Sequence, residues 1–84
     1  MNRWFKATLD YWESKKTEAQ ATLETYFQDT VGIGEHSEIL EELVKWSERL
    51  AAAEDTLETL KNSFGDDGSL NADWVSDKKQ LLND

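Results

Sequence analysis

Apolar side chains recur at alternating spacings of four and three through two long stretches of this chain, and no other feature restricts its fold as strongly. In the first stretch the series is Phe5, Leu9, Trp12, Lys16, Ala19, Leu23 and Tyr26, with Lys16 as the single polar interruption. In the second it is Leu43, Trp46, Leu50, Ala53, Leu57, Leu60 and Phe64, unbroken. That spacing places one apolar stripe along one side of an α-helix, and a strand's period of two does not produce it. There is no proline, and the four glycines fall in two clusters, Gly32 with Gly34 and Gly65 with Gly68. Two breaks therefore divide the chain into three helical segments, expected at about residues 2–30, 37–64 and 70–82. Gly32 and Gly65 are placed to be left-handed caps, and Ser37 is placed to cap the second helix ahead of Glu38, Glu41 and Glu42.

A short link between two long helices makes them antiparallel neighbours. Folding the chain at Gly34 sets Trp12 opposite Ala53 and Ala19 opposite Trp46, so that large faces small twice, as a filled core requires. Leu9 then meets Leu57, Leu23 meets Leu43, and Phe5 meets Leu60. Lys16 falls opposite Leu50, where its stem can pack while its ammonium reaches water, Glu13 or Glu48. Trp12 and Trp46 are expected in the core.

The third segment opens after Asp66-Asp67-Gly68, with Ser69 or Asn71 as its cap, and runs through Leu70, Trp74, Lys78, Leu81 and Leu82. Trp4 and Tyr11 form a stripe beside the first seam, with Thr8 between them. Ala52, Thr56, Thr59 and Ser63 form an uncharged flank on the second helix, whereas Glu54, Glu58 and Lys61 on its other flank read as solvated. The third helix is expected in the groove lined by Trp4, Tyr11, Thr56 and Thr59, burying Trp74 and Leu81. The fold class is thus all-α: a long antiparallel helical hairpin with a short third helix packed at its open end, forming one domain over residues 1–84. The hairpin arms would be roughly 40 Å long and the third helix about 18 Å, which leaves the turn end of the hairpin uncovered.

Charge narrows the function. The net charge is −9, and it is uneven: −1 over residues 1–30, −5 over 31–64 and −3 over 65–84. Such a chain repels nucleic-acid backbones and anionic membranes, so direct binding to either is not expected. Imitation of a nucleic acid remains open. Cysteine is absent, which removes disulfides and thiolate zinc sites. Met1-Asn2-Arg3-Trp4-Phe5-Lys6 lacks the apolar core of a signal peptide, and the longest apolar run, Leu50-Ala51-Ala52-Ala53, is far too short to span a bilayer. A cytoplasmic protein is expected.

Chemistry-bearing motifs do not accumulate. Gly32-Ile33-Gly34 has no strand before it, and Glu35 and Glu38 place negative charge where a phosphate would sit. His36 stands alone at a spacing that matches no metal-ligand pattern. Aligning Gly68 with the glycine of a calcium loop puts Trp74 where the closing glutamate belongs, which rejects an EF-hand. Glu41-Glu42 and Glu54-Asp55 lie on faces directed to water, where carboxylates are not tuned for acid–base work. No catalytic residue, cofactor or metal is expected, and the chain reads as a non-enzymatic protein.

Two surfaces remain as candidates. Phe27, Val31, Ile33, Leu40 and Val44 gather near the turn, in excess of what the seam consumes, and form the candidate partner-binding patch. The acidic surface consists of Glu38, Glu41, Glu42, Glu48 and Asp55, of which Glu41, Glu48 and Asp55 repeat every seven residues along the outside of the second helix.

At Val31-Gly32-Ile33-Gly34-Glu35-His36-Ser37 through Leu43, and again at Ala52-Ala53-Glu54-Asp55-Thr56-Leu57-Glu58, the chain resembles small uncharacterised proteins of tailed phages that infect marine cyanobacteria. The resemblance covers residues 25–64 and carries over no catalytic residue. It implies a small phage product acting in the host cytoplasm on host machinery, or a minor assembly component. Three functions follow as expectations. The first is an acidic protein-binding module, such as a regulator or inhibitor of a host enzyme. The second is a structural or assembly protein acting as a homo-oligomer, a homodimer being the simplest case. The third is a DNA mimic that blocks a nucleic-acid-binding protein.

Overall fold

The computed structural model describes residues 1–29 and 38–71. Two α-helices of equal length, α1 (Arg3–Gln28) and α2 (Glu38–Ser63), pack together as a hairpin. The expected seams are the contact surface. Among the described residues Ala19, Leu23, Ala53 and Leu57 are buried, and every other member of the two series is half-buried. Ala19 and Ala53, the two positions set opposite tryptophans in the expected register, have no exposed surface at all. Methyl groups at these points let the large partners close over the seam.

Each helix has a local reason for its limits. Asn2 caps α1: its backbone is extended, and its Oδ1 accepts from the Phe5 amide at 3.0 Å. At the other end, the Asp29 amide donates to the Thr25 carbonyl at 2.9 Å and the chain leaves the helix. In α2, Glu38 and Glu41 lie in the first turn and Lys61 in the last, each sign matched to the helix dipole. The hydroxyls of Thr8, Thr22, Thr25, Ser47 and Thr56 donate to carbonyls four residues back, so these polar side chains are satisfied within their own helix. One ion pair crosses between the helices, Lys61 Nζ to Glu13 Oε1 at 3.4 Å, and both groups are about half-exposed. Such a pair contributes little, of the order of 0.2–1 kcal/mol.

The expected left-handed cap at Gly65 is corrected. Gly68 is the described glycine with positive φ, at +83°. The chain does not end α2 in a left-handed turn but runs into a tight reversal, in which Phe64 and Leu70 form an isolated antiparallel bridge. The Gly65 amide donates to the Ser69 carbonyl and the Gly68 amide to the Gly65 carbonyl, both at 2.9 Å. Asp67 Oδ1 accepts from the Ser69 amide at 2.9 Å and from Ser69 Oγ at 2.7 Å, and together these hold the carboxyl of Asp67 below its ordinary value. Ser69 is therefore engaged with Asp67, and Leu70 and Asn71 are not helical, so the third helix does not begin at residue 70.

The reversal is fastened to the start of α1. The Asn2 amide donates to the Asp66 carbonyl at 2.7 Å, and the rings of Phe5 and Phe64 lie 6.2 Å apart with their planes inclined at 55°. Beyond the reversal, the Asn71 amide bonds the Ser63 carbonyl at 2.6 Å and Asn71 Nδ2 bonds the Asn62 carbonyl at 3.2 Å. The expected cap at Gly32, the cap at Ser37 and the body of the third helix with Trp74 and Leu81 lie outside the described residues.

Candidate interaction surfaces

A two-helix hairpin has two open flanks beside its seam, and here they differ in chemistry. On one flank Leu40, Val44, Ser47, Ala51, Glu54, Glu58 and Lys61 follow one another along α2, and Glu13 and Phe27 lie on the matching side of α1. The candidate patch belongs here. Phe27, Leu40 and Val44 are 61%, 67% and 50% exposed, and nothing in the described chain covers them. Val31 and Ile33, the other two members, lie outside the described residues. Toward the open end this flank becomes a shallow polar groove lined by Glu13, Lys16, Glu54, Leu57, Glu58 and Lys61. Lys16 is half-buried in it and takes part in none of the ion pairs among the described residues.

Four of the five residues expected to form the acidic surface are exposed: Glu38, Glu41, Glu48 and Asp55. None of the four has a cation within ion-pairing distance among the described residues. Glu42 departs from the expectation. It is half-buried and lies 2.8 Å from Lys45 Nζ. The hydrogen bond from Lys45, with further help from its charge, from the Trp46 indole and from Arg49, holds the Glu42 carboxyl below its ordinary value against a smaller opposing effect of burial.

The second flank holds a feature that apolar periodicity does not reveal. Tyr11, Trp12, Trp46 and Ala52 line an open groove of about 300 Å³, rimmed by Lys15, Arg49 and Glu18. The Tyr11 and Trp12 rings meet edge to face at 5.2 Å. Lys15 Nζ stands 5.6 Å from the Tyr11 ring centre, and Trp46 carries both Lys45 Nζ at 5.6 Å and the Arg49 guanidinium carbon at 4.5 Å. Trp12 and Trp46 thus contribute to the seam with part of each ring and present the remainder to this groove. The signal was in the spacing: Tyr11 with Lys15 four residues on, and Trp46 with Arg49 three residues on, are neighbours on a helix surface. Nearer the open end the same flank presents Trp4, 83% exposed, and Tyr11, 54% exposed.

Among the described residues no helix is long and apolar enough to cross a membrane. No protein-family model matches the chain, and no curated protein or solved structure matches it at a significant level.

Proposed function

We propose that this protein is a non-enzymatic binding module that docks on another protein through the turn end of its hairpin. The observation that carries this reading is the exposure of Phe27, Leu40 and Val44 beside Glu38, Glu41 and Glu48. An apolar centre with a charged margin is the composition of an interface. The acidic margin also speaks to the partner. A two-fold pairing of this patch with itself would bring Glu38 and Glu41 toward their own copies, a like-charge contact that opposes a homodimer. A partner with a basic rim meets no such cost. The phage resemblance suggests a host enzyme as that partner and the host cytoplasm as the place. In this reading a short third helix packs at the open end and leaves the tip free.

The test is Leu40→Asp together with Val44→Asp, two changes on exposed positions that leave the seam untouched. Loss of partner binding with an unchanged melting temperature supports the proposal. Retained binding and an unchanged oligomeric state remove the tip as the working surface.

One observation favours the DNA-mimic reading as second choice: Glu41, Glu48 and Asp55 form an exposed row with no ion-pairing cation among the described residues. A salt titration separates the two, because binding through carboxylates weakens steeply with salt and binding through an apolar centre does not.

A further inference from the structure

Lys15 and Arg49 belong to different helices and line the same groove midway along the hairpin, together with Tyr11, Trp12 and Trp46. Both cations are exposed, and each lies over an aromatic ring, Lys15 Nζ at 5.6 Å from the Tyr11 centre and the Arg49 guanidinium carbon at 4.5 Å from that of Trp46. A guanidinium resting on an indole still presents its fork of N–H donors at its edge, the geometry that meets a carboxylate. Neither cation is matched by a hydrogen-bonded carboxylate among the described residues. Arg49 takes part in no ion pair there, and the Lys15 ammonium stands 3.7 Å from Glu18 Oε1, beyond hydrogen-bonding reach. Two like charges that share one groove repel each other, and an anion placed between them relieves that cost.

We infer that this groove binds an acidic segment of a protein partner, which sets a carboxylate between Lys15 and Arg49 and an aromatic or leucine side chain against Tyr11 and Trp12. Charge complementarity selects the carboxylate, and the ring faces select its apolar neighbour. The rest of the chain limits the charge of the occupant. With a net charge of −9, and with Glu41, Glu48 and Asp55 exposed on the outside of the same helix, the protein repels a polyanion such as a nucleic acid. A short segment with few carboxylates meets the cations and avoids the row. Shape argues in the same direction. The groove is open and holds about 300 Å³, small for a site that must enclose a free ligand but sufficient for side chains laid in from a peptide. The site is independent of the tip: the acidic tip suits a basic rim, and the cationic groove suits the opposite charge.

The probe is a blocked peptide of repeating Asp-Phe-Glu-Leu, titrated into the full-length chain while the indole N–H resonances of Trp12 and Trp46 are followed by NMR. Both resonances are expected to shift. The counterpart peptide of repeating Asn-Phe-Gln-Leu is expected to bind about tenfold more weakly, the loss of one charged hydrogen bond. Lys15→Gln with Arg49→Gln is expected to weaken the acidic peptide by at least that factor of about ten, whereas Leu40→Asp with Val44→Asp at the tip leaves its affinity unchanged. No binding of the acidic peptide, equal binding of the two peptides, or sensitivity to the tip variant alone overturns the proposal. The comparison of the two peptides needs no variant, so it stands even if the double glutamine protein fails to fold. Phenylacetate is the free-ligand control, and binding as tight as that of the acidic peptide overturns the proposal in favour of a small-molecule site.

Discussion

The side chain of Asn2 lies across the α-carbon of Gly68, so closely that a Cβ on Gly68 would sit 3.2 Å from both Cγ and Nδ2 of Asn2. The same asparagine caps α1 and donates its amide to Asp66, so one residue joins the beginning of the first helix to the reversal after the second. Gly68→Ala meets two obstacles, the crowding by Asn2 and a φ of +83° that L-residues avoid. The expected loss from the backbone conformation is about 1–2 kcal/mol, read from urea denaturation. Asn2→Ala alone should cost about 1 kcal/mol through the lost cap. Combining the two should cost less than their sum, because the smaller residue at position 2 relieves the crowding. Strict additivity would show that Asn2 and Gly68 do not press on each other.

Trp12 and Ala53 test the register. Trp12→Ala removes a half-buried ring from the seam and should cost about 3 kcal/mol, the low end for such truncations. Ala53→Trp forces a ring into a position with no free surface and should cost about 1–3 kcal/mol or more. The exchange of both should recover part of the loss, since the facing volumes are restored. A double variant no more stable than the sum of the single losses would refute the pairing.

Lys16 is the polar break in an apolar series, half-buried and outside every ion pair among the described residues. Lys16→Leu should leave stability unchanged or raise it by up to about 1 kcal/mol, as apolar surface replaces an ammonium group that has no ion-pair partner among the described residues. A drop in melting temperature would reveal a role for the charge in holding the two helices in register.

Asp67 should make the reversal acid-sensitive. Its carboxyl titrates below the ordinary 3.8 because Ser69 donates to it through its hydroxyl and its backbone amide. A group whose folded value is depressed contributes stability that is complete above its unfolded value and is lost as pH falls through the folded one. Melting temperature should therefore fall below about pH 4, and Asp67→Asn should flatten that fall because the amide oxygen still accepts without titrating. An acid limb identical in the two proteins would place the titrating group elsewhere. Amide exchange at Ser69 followed over the same range checks the same bond locally.

The sequence by itself determined the two helices, their seam and their antiparallel pairing. A stripe recurring every three or four residues can be buried only by another stripe of the same kind, and a short link leaves one way to bring the two together. It also marked Phe27, Leu40 and Val44 as surplus to the seam, and they are exposed. Tertiary structure alone decided what happens at the open end. Periodicity describes one helix at a time, whereas the bond from Asn2 to Asp66, the Phe64–Leu70 bridge and the contact of Asn2 with Gly68 exist only once both helix ends have met. That meeting placed the left-handed residue at Gly68 and not at Gly65, because the chain had to turn back on itself beside α1. The split of the flanks into one cationic and aromatic and one acidic and aliphatic has the same origin: it depends on which sides of two helices come to face the same way.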